Sequence, residues 1–366
     1  MDRNMTGTAE YGPLVRELHE RAAKLNLPIN GIFELTFVCN LRCGMCYARQ
    51  FGGKRSPVEG RELSSTQWLE LARQAKDSGL LFLLLTGGEV FLRNDFFDIY
   101  EPLTRMGFMI TVFTNGCLIT APIAKRLAQA PPSRVEISLY GATAATYEKI
   151  TGVAGSFAAC CAGIENLIVN RVPLVLKTTL SRFNVAELED MRQMAHAWGL
   201  KFYGSWLLAR RPDLQGSEVE NFRLSAEQCV ELESTDQASA NELSEAAING
   251  MPWESDYNFY CKAGRAAFTV NPSGDMNVCI LLPKPGARPL EIGFHEAWME
   301  VVKYVSSAPA PSSACLACGE RVFCGRCPAW SLMENGTLTE PVPYWCDIAR
   351  ARTKRYGRPS DPNPVP

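Results

Sequence analysis

The chain reads as an α/β protein: a parallel sheet covered by helices, followed by a small cysteine-rich domain. Three observations predict this. Six short apolar runs alternate with helix-like stretches between residues 32 and 206. The runs are nearly continuous in apolar residues, the pattern of parallel strands with helices packed on them. Beyond residue 261 the alternation stops and cysteines accumulate, at positions 261, 279, 315, 318, 324, 327 and 346.

A helix over Leu14–Leu25 precedes the first strand. The strands are IFELTFV ending at Val38, LLFLLLT ending at Thr86, FMITVFT ending at Thr114, RVEISLY ending at Tyr140, VPLVLKTTL ending at Leu180 and KFYGSWLL ending at Leu208. Helices are expected at Ser64–Ser78, Asp95–Arg105, Ala121–Ala130, Ser156–Asn170 and Asn184–Trp198. Six such repeats fit an open barrel or a doubly wound sheet equally well. After Leu208 come two helices, Ser225–Ser234 and Ala238–Asn249, then a hairpin (AAFTV, a turn at Asn271-Pro272-Ser273-Gly274, MNVCI) and a segment with few regular elements. Such a segment needs a metal or disulfide staple. The expected divisions are a helical extension over 1–29, an α/β core over 30–210, a helical bridge over 211–260, a cysteine domain over 261–350 and a flexible tail over 351–366.

With a net charge of -2 and pI near 6.1, the composition carries no footprint for nucleic acid. No apolar run is long enough to cross a bilayer, and the polar start MDRNMTGTAEYG lacks the apolar core of a secretion signal. A cytoplasmic protein with neither nucleic acid nor membrane as partner is expected. In that compartment 14 cysteines point to metal or redox chemistry rather than disulfides. The three histidines, His19, His196 and His295, have no ligand-like spacing, so thiolates are the expected ligands.

Cys39, Cys43 and Cys46 lie directly after the first strand in CNLRCGMCY. A zinc knuckle is the plain alternative, but it needs a fourth ligand and none is nearby. Three thiolates suit a 4Fe–4S cluster with one open iron. The spacing C-x3-C-x2-C followed by an aromatic, Tyr47, resembles the motif of the radical S-adenosylmethionine (radical SAM) superfamily. The resemblance implies that the open iron binds SAM and that one electron splits it to a 5′-deoxyadenosyl radical. Thr86-Gly87-Gly88-Glu89 resembles the family's GGE motif, in which the glycines admit a ligand and Glu89 accepts from its ammonium group. Thr114-Asn115-Gly116 and Ser138-Leu139-Tyr140-Gly141 end the third and fourth strands, and the position of Ser138 contacts SAM in the family. Tyr47, Gly87, Gly88, Glu89, Thr114, Asn115 and Ser138 are therefore the expected SAM contacts. All these motifs fall at the C-terminal ends of strands, where parallel barrels build active sites. The fold implied is a partial (β/α)6 barrel of TIM type followed by a cysteine-rich Fe–S domain.

That second domain resembles the SPASM module, in C…G-x4-C followed by C-x2-C-x5-C-x2-C and a last cysteine; the usual third spacing is x3. A zinc ribbon is the alternative reading. The resemblance implies two auxiliary clusters, one on Cys315, Cys318, Cys324 and Cys346, the other on Cys261, Cys279 and Cys327. The latter lacks an eighth cysteine, leaving an open iron or an oxygen ligand from Glu254 or Asp256. Cys117, Cys160, Cys161 and Cys229 are expected to be small apolar side chains.

Auxiliary clusters in relatives accept an electron from a substrate radical or ligate the substrate. The function implied is oxidation of a ribosomally made precursor peptide, by crosslinking or dehydrogenation, after hydrogen abstraction. The partners implied are that peptide, a reductase such as flavodoxin or ferredoxin, and a separate leader-binding protein. Only one helix precedes the first strand, too little for a winged-helix leader-binding domain. Arg210 and Arg211 could bind substrate carboxylates. Ile280, where sulfatase-maturating relatives carry an Asp, argues against that activity. The alternatives are oxidation of a small molecule such as a tetrapyrrole side chain, and a non-catalytic metal-binding protein.

Overall fold

A computed structural model describes residues 12–47, 62–211, 219–249, 258–259 and 261–357. Glu254, Asp256 and the tail beyond Gly357 lie outside them. The described residues from 12 to 222 and Lys262–Ser306 form one compact unit. Arg223–Cys261 and 307–357 fall in a second.

The first unit is built on one sheet. Its strands are β1 (Asn30–Glu34), β2 (Phe82–Thr86), β3 (Met109–Thr114), β4 (Arg134–Ser138), β5 (Leu174–Thr179), β6 (Lys201–Ser205), β7 (Ala267–Val270), β8 (Met276–Cys279) and β9 (Leu282–Ala287), in the order β6-β5-β4-β3-β2-β1-β7-β8-β9. From β6 to β7 every pairing is parallel; β8 and β9 close antiparallel. The hairpin after Cys261 therefore continues the sheet past β1, joined by β9, which the sequence reading does not anticipate. Helices at Ser65–Asp77, Phe96–Arg105, Ala121–Gln129, Ser156–Val169 and Leu188–Ala197 connect the parallel strands.

In β1 and β3 burial alternates along the strand. Phe33 packs on Trp68 of a covering helix, with ring centroids 5.0 Å apart. The opposite face carries Glu34, Glu136 and Lys177, residues a second helical layer would not tolerate. This one-sided covering belongs to an open barrel and decides against the doubly wound sheet.

The remaining corrections are local. The sheet leaves β1 at Glu34, four residues before the apolar run ends, while β4 and β6 end at Ser138 and Ser205. A helix at Ala144–Thr151 follows β4. The segment beyond residue 280 is regular, not loop-like: it forms helices at Phe294–Ser306, Pro328–Asn335 and Pro343–Tyr356. Among the described residues no single helix is long and apolar enough to cross a membrane.

Candidate active site

The loop after β1 is fastened to the end of β2. Thr86 O accepts from Leu35 N–H at 2.7 Å, Thr36 O from Gly88 N–H at 2.7 Å, and Val38 O from Glu89 N–H at 2.8 Å. A Cβ at Gly87, whose φ is 134°, would stand 2.5 Å from Thr36 O. One at Gly88 would stand 2.2 Å from Val38 O. The sequence reading assigns these glycines to a ligand; their visible work is to let two backbones meet where the cysteine loop begins.

Beyond that junction Cys39, Cys43 and Cys46 are half-buried electrostatic neighbours. Burial pushes the Cys39 thiol up to about 12, helped by the nearby Glu89 and Cys46. Burial, Cys46 and Cys39 together raise Cys43 well above the usual thiol range. Such thiols ionise when a metal takes their place as proton acceptor. Among the described residues no three His, Cys, Asp or Glu side chains converge as ligands to one ion do. Three neighbouring thiols without that convergence fit a polynuclear cluster better than a zinc ion.

The residues between the cysteines anchor the loop. Arg42 N–H donates to Thr151 O at 2.8 Å, at the end of the helix Ala144–Thr151. Met45 is buried with Ile150, Leu208 and Val219. Gly44 lies on the Phe222 ring, which a Cβ would approach to 2.6 Å.

Glu89 is fully buried. Its carboxylate accepts from Thr114 Oγ1 at 2.7 Å, Asn115 N–H at 2.8 Å and Phe91 N–H at 3.2 Å. Burial raises its pKa against those three donors. Glu89 thus ties β2 to the end of β3, which takes up most of the capacity a ligand's ammonium would use. Asn115 reaches across in turn, donating through Nδ2 to Asn40 Oδ1 at 2.7 Å, and 3.9 Å from Cys39 Sγ. Asn40 is a member of this group that the sequence reading passes over, although it sits inside the cysteine motif. Tyr47 lies beside Cys46, Glu34 and Tyr140 and is hydrogen-bonded to the Thr86 side chain. Ser138 ends β4 opposite Lys177 of β5 and is hydrogen-bonded to Tyr140. The structure thus brings Tyr47, Gly87, Gly88, Glu89, Thr114 and Asn115 around the three cysteines, with Ser138 linked through Tyr140.

In the second unit Cys324 has Cys346, Cys315 and Cys318 as neighbours, and burial pushes its thiol up to about 11. Cys346 is raised by burial and by Cys315. Cys346 stands on the helix Pro343–Tyr356, Cys315 in a short helix Ser313–Leu316, and Cys318 and Cys324 flank a single 3-10 turn. Four thiols from four sequence positions make a complete donor set for a cluster. Cys327 is buried beside Arg326. Cys261 belongs to this unit and Cys279 ends β8 in the other. Of the four remaining cysteines, Cys160 and Cys229 are buried, while Cys117 and Cys161 are half-buried. Cys117 lies 3.4 Å from Ser156 O and is an electrostatic neighbour of Cys43.

Comparison with known proteins agrees with this geometry. The family model for the Radical SAM superfamily matches residues 33–195. An AdoMet-dependent heme synthase of Methanosarcina barkeri is 27% identical over 346 residues, spanning 88% of this chain and 97% of the relative. The mycofactocin maturase MftC of Mycobacterium ulcerans is 28% identical over 340 residues, spanning 87% and 88%. SuiB of Streptococcus suis, solved with its precursor peptide SuiA, superposes with a TM-score of 0.68 at 16% identity, covering 89% of this chain and 78% of SuiB. The fold, the three-cysteine loop at the strand ends and the C-terminal cysteine set place this chain in the radical SAM superfamily, in its branch with a SPASM-type domain.

Proposed function

We propose that the protein oxidises a residue of a ribosomally made precursor peptide, forming a crosslink or a dehydrogenated product. When bound, a 4Fe–4S cluster on Cys39, Cys43 and Cys46 supplies, with SAM, the 5′-deoxyadenosyl radical that abstracts hydrogen. The observation that carries the reading is the pairing of this three-thiol loop with a separate four-thiol set, Cys315, Cys318, Cys324 and Cys346. Three protein thiols leave a position open for SAM, whereas four fill a cluster and suit electron transfer. A net two-electron oxidation needs both kinds of site.

The chain's own residues supply the frame. Gly87 and Gly88 hold the start of the cysteine loop, Met45 and Arg42 hold its middle, and Glu89, Thr114 and Asn115 hold the adjoining strand ends. Tyr47 and Ser138 face the place where SAM would lie. Cys261, Cys279 and Cys327 would hold the second auxiliary cluster. A flavodoxin- or ferredoxin-type reductase, a separate leader-binding protein and a cytoplasmic location belong to the same reading. MftC and SuiB support a peptide substrate. The heme synthase supports a second reading, oxidation of a tetrapyrrole side chain, because it aligns along 97% of its own length.

Anaerobic co-expression with the short open reading frames that flank the gene, followed by intact-peptide mass spectrometry, separates the two. A peptide lighter by two hydrogens, dependent on Cys43, establishes the maturase. Unchanged peptides from an enzyme that still cleaves SAM turn the assignment to the small molecule.

A further inference from the structure

The inner face of the sheet carries several charged side chains, and most have partners. Glu136 pairs with Arg134 at 2.7 Å and Lys177 at 3.2 Å, and Lys177 also lies over the Phe113 ring. Glu34 differs. Phe33 packs against Trp68 on the helical side, so strand alternation turns Glu34 toward the barrel interior. The β1–β2 register sets it opposite Thr86, and Tyr47 is its neighbour. Among the described residues no hydrogen bond or ion pair reaches its carboxyl group. Burial alone pushes its pKa up to about 7.

A buried polar group left unpaired costs about 1–3 kcal/mol, and such a group in a native structure calls for an explanation. Glu34 is the last residue of β1, five before the first cysteine of the loop. At the C-terminal mouth of a parallel barrel the missing partner is most simply a bound molecule. A cationic partner would need an ionised carboxylate, and burial opposes ionisation here. A carboxyl group near half protonation offers an acceptor and a donor side by side. An amide is the complement of that pair.

We propose that Glu34 is a substrate-binding residue that hydrogen-bonds an amide of the peptide, accepting from N–H and donating, when protonated, to C=O. This rests on the peptide reading above. It predicts that glutamine, which also offers one acceptor and donors in the same plane, replaces Glu34, whereas alanine does not.

The test compares wild-type, Glu34→Gln and Glu34→Ala holoenzymes, each co-expressed anaerobically with the same flanking peptides. The modified fraction is read by mass spectrometry, and KM and kcat are then measured on the peptide so identified. Iron content and the change in the cluster's EPR spectrum on adding SAM monitor the SAM site separately. Loss of one such hydrogen bond predicts a KM about tenfold higher for Glu34→Ala, with Glu34→Gln within about threefold of wild type. If Glu34→Gln is as impaired as Glu34→Ala, the carboxylate's charge or its proton is needed and the amide proposal fails. It fails too if both variants match wild type, or if Glu34→Ala abolishes the SAM-induced EPR change. If the wild type modifies no peptide, the peptide reading falls, and this proposal with it.

Discussion

Gly88 and Glu89 show how much of the site depends on single residues. A methyl group on Gly88 would meet a backbone carbonyl at 2.2 Å, and a carbonyl cannot swing aside as a side chain can. Overpacking of this kind costs about 1–3 kcal/mol in a core, and here the strain falls on the segment that leads into Cys39. Gly88→Ala is therefore expected to lose iron from the three-cysteine site while the four-cysteine set keeps its own. Iron analysis and Mössbauer spectra of anaerobically purified protein check this; full iron at both sites would contradict it. The GGE motif was legible as a motif in the sequence. What it does was not: nothing along the chain shows that the backbone of residues 36–38 returns to within hydrogen-bond distance of Gly88 and Glu89. Glu34 was visible as an acidic residue inside an apolar strand run, a signal that gained meaning only once Phe33 fixed which face it takes.

Among the elements, the helix Ala144–Thr151 does more than its eight residues suggest. Its C-terminal carbonyl, Thr151 O, receives Arg42 N–H of the cysteine loop, and its Ile150 packs on Met45. Its N-terminus is held by Glu187, whose carboxylate accepts from Ala142 N–H at 2.7 Å, Thr143 N–H at 3.2 Å and Thr143 Oγ1 at 2.9 Å, and also from Thr146 Oγ1. Capping interactions of this kind contribute about 0.5–2 kcal/mol. Glu187→Ala should lower the melting temperature by a few degrees and weaken SAM binding, because the loop loses its brace; Glu187→Gln, which keeps an acceptor, should recover part of both. Calorimetric titration with SAM decides it, since equal affinity in all three proteins would reduce Glu187 to a stabilising cap. Sequence patterns miss this helix because GATAATYEKIT is short and only weakly amphipathic. They overrun β1 because LTFV stays apolar after the backbone has left the sheet. By contrast β2 and β3 end at Thr86 and Thr114 as expected, where Gly-Gly and Asn-Gly follow. The helix Phe294–Ser306 was readable: Phe294, Ala297, Trp298, Val301, Val302 and Val305 are buried at helical spacing. Its place among cysteines is what disguised it as loop.

Across the whole molecule, the two cysteine sets with a complete set of neighbours sit in different compact units. The barrel unit holds Cys39, Cys43 and Cys46 through its own strand ends. The second unit has supports of its own around Cys315, Cys318, Cys324 and Cys346. Arg352 grips Glu233 at 2.5 and 2.9 Å and Phe323 O at 2.7 Å. Arg223 pairs with Glu334 at 2.6 Å and lies 4.6 Å from the Tyr344 ring centroid. Metal binding and local folding are coupled, so a cluster should depend chiefly on the unit that supplies its ligands. Replacing Cys39, Cys43 and Cys46 together by Ala should then abolish SAM cleavage and remove one cluster's iron, while the four-cysteine cluster keeps its spectrum. Cys318→Ala should do the converse, lowering iron while the SAM-induced EPR change persists. Paired iron counts and EPR spectra of the two variants check both halves at once. If the triple variant emptied both sites, cluster loading would be cooperative across the chain, and the division into independently metallated units would be wrong.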